Sequence, residues 1–138
     1  MPFVLDSSVA LAWLLPGERT DAADALADQL GSAAPAAPAI WPLEVANALL
    51  TARRRERITD RDADRMLDVL LSLPIDVDAS PAGDALARVI SIARRRGLTT
   101  YDAAYVELAQ RRGWPLATLD ARLAAACRLE GIEVVPAP

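Results

Sequence analysis

Short apolar runs alternate with segments of helical periodicity along the chain, and this alternation limits the possible fold more than any other feature. The runs predict strands at 3–6, 75–78, 115–119 and 132–135, and the segment 39–41 leads into a helix in the same way. Helices are predicted over 7–15, 19–30, 42–57, 59–73, 80–96 and 101–112, with a last one after 120. Strands that alternate with helices imply a parallel sheet with helices on both faces. We therefore expect an α/β fold with a central, mostly parallel sheet.

Length and composition bound the domain organisation. The 138 residues are 53% hydrophobic and 25% charged, which is typical of one globular domain. We expect a single domain over 1–138 that ends in a short Pro/Ala tail, with no membrane span, no secretory leader and a cytoplasmic location. The lone cysteine, Cys127, is expected to pack into the core from a helix face.

The chain contains no histidine, and all 15 of its basic residues are arginine. This excludes histidine-dependent nucleophiles and general bases, HExxH zinc sites, Schiff bases and the lysine of phosphate-binding loops. Carboxylates remain the obvious chemical resource. Their hard oxygens suit Mg²⁺ or Mn²⁺, and such ions usually act on phosphates. The composition therefore favours phosphoryl chemistry without locating a site.

Four acidic residues end predicted strands or begin predicted helices, namely Asp6, Glu44, Asp102 and Asp120. Because the carboxyl ends of parallel strands meet at one edge, these carboxylates should converge where like charges need a cation. Taken singly, each is best explained as a helix cap or as a first-turn acid stabilised by the helix dipole, and only their convergence favours a metal site. Position alone leaves both interpretations open.

Four motifs surround these acids: VLDSS at 4–8, PLEVANAL at 42–49, TYDAAY at 100–105 and ATLD at 117–120. In order and approximate spacing they resemble a PIN domain, and the chain is most similar to the VapC-type toxin ribonucleases of type II toxin-antitoxin modules. The resemblance covers essentially the whole chain. Its most specific part is 98–109, which combines the aspartate with both tyrosines and small residues.

The resemblance implies an endoribonuclease that hydrolyses RNA phosphodiesters with one or two Mg²⁺ or Mn²⁺ ions and leaves a 5′-phosphate. Asp6 and Asp102 resemble the principal metal ligands of that family. Glu44 and Asp120 resemble further catalytic acids and secondary ligands.

Three polar residues resemble supporting positions of the family site, and each has an equally good structural explanation. Ser8 could be a helix cap or first-turn hydroxyl, Thr118 a β-branched strand residue, and Asn47 a tolerated polar residue of a helix.

The net charge of -4 argues against a strong general affinity for nucleic acid. Arginine clusters at 53–57, 94–96 and 111–112 stand in last helical turns, where cations also complement the helix dipole. Arg19 and Arg122 begin helices nearer the expected site, although surface residues are the default interpretation. Trp13 and its two leucine neighbours are expected in the core. The resemblance further implies an RNA substrate, a homodimer and a cognate antitoxin protein.

Two other classes compete with the nuclease hypothesis. A phosphoaspartyl protein also has an acidic Mg²⁺ site at parallel strand ends, but the absent lysine argues against it, and the second aspartate of a phosphatase DxDxT motif is missing after Asp6. A catalytically silent α/β interaction module, whose acids are only helix caps, is the other alternative.

Overall fold

The computed structural model describes residues 2–136, so the last two residues of the expected Pro/Ala tail lie outside it. The strands are β1 (Val4–Leu5), β2 (Ala36–Ala37), β3 (Asp76–Val77), β4 (Leu116–Ala117) and β5 (Val134–Val135). The helices are α1 (Ser7–Ala12), α2 (Asp21–Ala27), α3 (Trp41–Arg54), α4 (Asp60–Ser72), α5 (Asp84–Arg96), α6 (Thr100–Arg112) and α7 (Ala121–Leu129). A 3₁₀ turn at Asp28–Gly31 follows α2.

The five strands form a sheet in the order β3-β2-β1-β4-β5, and every neighbouring pair is parallel. The expected α/β fold is confirmed, with a sheet that is fully parallel within residues 2–136. The strand order reverses between β1 and β4, and ligands of such folds bind in the crevice outside the carboxyl ends at this point.

The central strand β1 is fixed by backbone hydrogen bonds on both sides. The amide of Val4 donates to the carbonyl of Pro115 at 2.9 Å, and the amide of Asp6 donates to Ala117 at 3.0 Å. On the other side, Ala36 donates to the carbonyl of Phe3 at 3.0 Å. The chain segment that carries Asp6 therefore has little freedom to move.

Several predicted helix ends are confirmed by their capping groups. Thr59 caps α4 in a capping box, in which its side chain accepts from the amide of Asp62 and the Asp62 carboxylate accepts from the amide of Thr59. Gly97 and Gly113 end α5 and α6 in the left-handed conformation, which a glycine adopts without strain.

Other expectations about local structure were wrong. No strand was predicted at Ala36–Ala37, where β2 lies, and the segment 39–41 leads into α3, which begins at Trp41. Alanine has a low strand propensity, but pairing with β1 and β3 overrides it. The predicted helix 7–15 ends as α1 at Ala12, the helix 42–57 ends as α3 at Arg54, and the helix 80–96 begins only after Gly83, whose φ of +56° is not helical.

The helices pack in two groups, with α3 against α1 and α4, and α6 against α5 and α7. Helix α6 also contacts β1 and β4, so it joins the second group to the centre of the sheet.

Cys127 is fully buried on α7, as expected, and burial raises the pKa of its thiol to about 12. Trp13 packs against the core and its indole N–H donates to the carbonyl of Ala23 at 2.7 Å. None of the helices within residues 2–136 combines the length and the apolar character needed to cross a membrane.

The position of α6 predicts where the fold is most sensitive. Leu108 is fully buried on α6, so Leu108→Ala should lower the free energy of unfolding by about 2–5 kcal/mol through lost burial and a residual cavity. Leu129 is 68% exposed at the end of α7, and Leu129→Ala should change the free energy of unfolding by less than about 0.5 kcal/mol. Urea unfolding followed by circular dichroism measures both. Equal effects of the two substitutions would contradict the packing described for α6.

Candidate active site

Asp6 stands between β1 and α1, and its side chain is almost completely buried. Its Oδ2 atom accepts two hydrogen bonds, from the hydroxyl of Ser8 at 2.6 Å and from that of Thr118 at 2.7 Å. Both hydroxyls use the same oxygen, so Oδ1 receives neither of these bonds. The carboxylate is thus held from two distant parts of the chain while one of its oxygens stays free of both hydroxyls.

The two hydroxyls also tie the segment after β4 to the start of α1. Ser8 Oγ accepts from the amide of Leu119 at 2.9 Å, and Thr118 Oγ1 accepts from the amide of Asp120 at 3.0 Å. Because each hydroxyl has one proton and donates it to Asp6, the direction of every bond is determined. Of the two structural alternatives for Ser8, the structure agrees with the first-turn hydroxyl, since the N-cap residue of α1 is Asp6, which makes no side-chain capping bond.

Glu44 lies in the first turn of α3 and contacts α6 through Tyr105. The hydroxyl of Tyr105, a fully buried residue, donates to Glu44 Oε1 at 2.5 Å. Burial raises the pKa of Glu44, the charges of Asp6 and Asp102 raise it further, and the bond from Tyr105 opposes the shift. Burial, followed by the charges of Asp6 and Glu44, also raises the pKa of Tyr105 above its ordinary value. Tyr105 is therefore a proton donor to Glu44.

Tyr105 was given no role by the sequence interpretation. A signal was nevertheless present, because Tyr105 follows Asp102 by three positions and so lies on the same helix face. A buried tyrosine also needs a partner for its hydroxyl.

Asp102 is half-buried in the first turn of α6. Burial raises its pKa, the charges of Asp120 and Asp6 add to the rise, and the charge of Arg122 opposes it. Asp120 is exposed and caps α7, where its Oδ1 accepts from the amides of Arg122 at 2.9 Å and Leu123 at 3.2 Å. Asp120 is thus a helix cap and also an electrostatic neighbour of Asp102.

The structure therefore groups the four acids electrostatically, with Asp6 as the common neighbour of Glu44 and Asp102. Ser8 and Thr118 join this group directly through Asp6. Asn47 is exposed on α3 and takes no part in the hydrogen-bond network of Asp6, so its supporting role stays a prediction.

The donor set has the chemistry of a site for a hard divalent ion. Carboxylate oxygens are the preferred ligands of Mg²⁺ and Mn²⁺, and like charges that raise one another's pKa are stabilised by a cation. Within residues 2–136, no three Asp, Glu or Cys side chains are placed so that together they could hold one ion as they stand. Bare carboxylates repel one another, so an ion would have to draw the side chains together.

Comparison with known proteins gives consistent matches over most of the chain. The sequence profile described as PIN domain matches residues 3–129. Ribonuclease VapC3 of Pyrobaculum aerophilum is 33% identical over 124 residues, which are 90% of this chain and 93% of the relative. Ribonuclease VapC12 of Mycobacterium tuberculosis is 36% identical over 121 residues, which are 88% of each chain.

Solved structures agree with these sequence matches. The crystal structure of PAE2754 from Pyrobaculum aerophilum has a TM-score of 0.73 at 28% identity, with 98% of this chain and 84% of the other covered. VapBC2 from Rickettsia felis, bound to a DNA fragment from its promoter, has a TM-score of 0.68 at 13% identity and covers 97% of both chains. FitAcB from Neisseria gonorrhoeae also reaches 0.68, at 17% identity, with 96% of this chain and 95% of the other covered. The last two similarities concern the fold alone.

The raised pKa of Asp102 predicts a pH-dependent stability. Its carboxyl ionises less readily in the folded than in the unfolded chain, so ionisation of Asp102 destabilises the fold. This effect is absent at low pH and grows as the pH rises from the ordinary pKa of the carboxyl to its raised pKa in the folded chain. Asp102→Asn should therefore raise the midpoint of urea unfolding at neutral pH without divalent ions. The difference from wild type should vanish at about pH 3, where both forms are uncharged.

Asp68, which is exposed on α4, supplies the matched control. Asp68→Asn should leave the free energy of unfolding within about 0.5 kcal/mol of wild type at both pH values. A lower unfolding midpoint for Asp102→Asn at neutral pH would show that Asp102 stabilises the fold, contrary to its electrostatic surroundings.

Proposed function

This chain belongs to the PIN-domain family, among the VapC ribonucleases, and from that premise we propose that it is an Mg²⁺- or Mn²⁺-dependent endoribonuclease, the toxin of a toxin-antitoxin pair. The observation that carries the proposal is the electrostatic grouping of Asp6, Glu44, Asp102 and Asp120 beside the point where the strand order reverses. Helix capping explains Asp120 by itself, but it explains neither the burial of Asp6 nor the raised pKa of Glu44 and Asp102.

Asp6 and Asp102 are the principal residues that would hold the ions, and Glu44 and Asp120 are the secondary ones. When bound, one or two such ions lower the pKa of a water and stabilise the charge that develops on the phosphate. Ser8 and Thr118 fix the Asp6 carboxylate through Oδ2, which limits its rotation. Tyr105 does the same for Glu44 through Oε1. These bonds keep the acids in place against their mutual repulsion.

Water is the nucleophile in this proposal. The hydroxyl protons of Ser8 and Thr118 are both engaged with Asp6, and Tyr105 holds its proton firmly. The chain also has no histidine or lysine to activate a side-chain nucleophile. The oxygen of the water bonds to phosphorus as the bond from phosphorus to the 3′ oxygen breaks. The products are a 3′-hydroxyl and a 5′-phosphate.

A protein partner is supported by the surface next to the acids. A hollow of about 290 Å³ lies between the starts of α3, α5 and α6, and Leu43 and Tyr101, at its rim, are 68% and 59% exposed. Exposed apolar clusters of this kind are typical of protein contact surfaces. The solved relatives from Rickettsia felis and Neisseria gonorrhoeae are described as VapBC2 and FitAcB. We propose a cognate antitoxin and a homodimer for this chain as well.

Substitution of the two principal ligands tests the catalytic proposal. Asp6→Asn and Asp102→Asn should each abolish metal-dependent cleavage of a random-sequence single-stranded RNA pool and weaken Mn²⁺ binding in calorimetry. Asparagine keeps an oxygen acceptor for the hydroxyls of Ser8 and Thr118, so the fold should remain intact by circular dichroism. Loss of activity should reach at least about a hundredfold, as for other groups that stabilise transition-state charge.

Asp68→Asn is again the control, and it should cleave RNA and bind Mn²⁺ like wild type. Full activity of either active-site variant would refute the site assignment. If wild type itself neither binds Mn²⁺ nor cleaves RNA, the ribonuclease proposal is refuted and a catalytically silent interaction module is favoured.

The partner proposal is tested by light scattering of the purified chain and of its complex with a small protein encoded next to it. We expect the mass of a dimer for the chain alone and a larger heteromeric complex after co-expression. Monomer in both samples would contradict the proposed assembly without affecting the catalytic proposal.

A further inference from the structure

Many arginines of this protein are already engaged in ion pairs with carboxylates. Those that lie within 4.0 Å of one are Arg19, Arg53, Arg57, Arg88, Arg95, Arg96, Arg111 and Arg112. Among residues 2–136, Arg122 forms no such pair, and its Nη2 donates instead to the uncharged carbonyl of Gly97. A guanidinium held by a single neutral acceptor keeps most of its five N–H donors for another ligand.

Arg122 lies beside two of the proposed active-site acids. Its amide donates to Asp120 Oδ1, and its side chain extends from α7 to Gly97, two residues before Thr99. Thr99 caps α6 and accepts from the amide of Asp102, so the guanidinium lies next to the helix start that carries Asp102. The opposing effect of Arg122 on the pKa of Asp102 agrees with this placement.

An acidic site that binds RNA needs a cation of its own. Phosphates of the substrate are repelled by the four carboxylates; one divalent ion would offset half of their charge and two would just cancel it, so neither case leaves a net positive charge to attract the RNA. The chain has neither lysine nor histidine, so only an arginine can supply the contact. The planar guanidinium fork matches the geometry of a phosphate group.

We propose that Arg122 is a substrate-binding residue whose exposed guanidinium holds a non-bridging phosphate oxygen of the RNA beside Asp102 and Asp120. The inference rests on the proposed ribonuclease function and adds a residue to it. The structural alternative is that Arg122 only fastens α7 to the end of α5 through Gly97, in which case removing it would alter stability but not the affinity for RNA.

The test compares Arg122→Ala and Arg122→Lys with Arg128→Ala. Arg128 lies on the same helix, is exposed, and is six residues, or about 9 Å, farther along α7. The substrate is the random-sequence single-stranded RNA pool, with Mg²⁺ or Mn²⁺. Arg122→Ala should raise KM about tenfold to a hundredfold, while kcat changes by less than about threefold. Arg122→Lys should be intermediate because it keeps the charge but loses the fork. Arg128→Ala should behave as wild type.

Salt dependence separates a phosphate contact from a structural role. In the Asp6→Asn background, which should bind RNA without cleaving it, the slope of log Kd against log salt should fall by about 0.7 when Arg122 is replaced by alanine. Unfolding midpoints of the same variants measure any loss of stability.

The outcomes distinguish this inference from the proposed function. If wild type cleaves RNA and Arg122→Ala keeps its KM and salt slope, the Arg122 inference is overturned and the ribonuclease proposal stands. The same holds if Arg122→Ala lowers only kcat and stability. If wild type neither binds nor cleaves the RNA pool, both proposals fail together.

Discussion

The buried carboxylate of Asp6 is the constraint on which the rest of the site depends. It stands at the end of the central strand, only 6% exposed, and a buried charge is costly unless polar groups compensate it. Two hydroxyls provide that compensation and at the same time accept bonds from the backbone before α7. The hydroxyls that stabilise Asp6 therefore also help to fix the start of α7, and with it Asp120 and Arg122.

A second buried acid, Glu107, shows how this protein stabilises a buried carboxylate with arginine side chains. Glu107 is 3% exposed on α6 and is bonded by Arg111 at 2.9 and 3.0 Å and by Arg88 at 3.1 Å. Its charge is thus neutralised within the fold. Glu44 and Asp102 are surrounded mainly by other acids. This contrast distinguishes Glu107, which stabilises the structure, from Glu44 and Asp102, which we propose bind an ion at some cost in stability.

Local signals made much of the fold predictable, and non-local contacts account for what was not. Thr59, Gly97 and Gly113 mark helix ends because capping depends on a few neighbouring residues. The strand at Ala36–Ala37 was not predicted, because two alanines show no strand pattern. Only their pairing with β1 and β3 makes this segment a strand. The acids of the site follow from strand order, but Tyr105 and Glu44 are 61 positions apart, so the spacing of Tyr105 from Asp102 indicates its helix face and not its hydrogen-bond partner.

The bond between Asp6 and Thr118 joins residues 112 positions apart, and this separation bears on how the protein is made. Chains are synthesised from the amino end and fold as units once enough of the unit has emerged. Asp6 and Ser8 leave the ribosome well before β4 and Thr118. The hydroxyl of Thr118 is the second of the two that orient the Asp6 carboxylate. A nascent chain therefore carries an incomplete centre until Thr118 has been added.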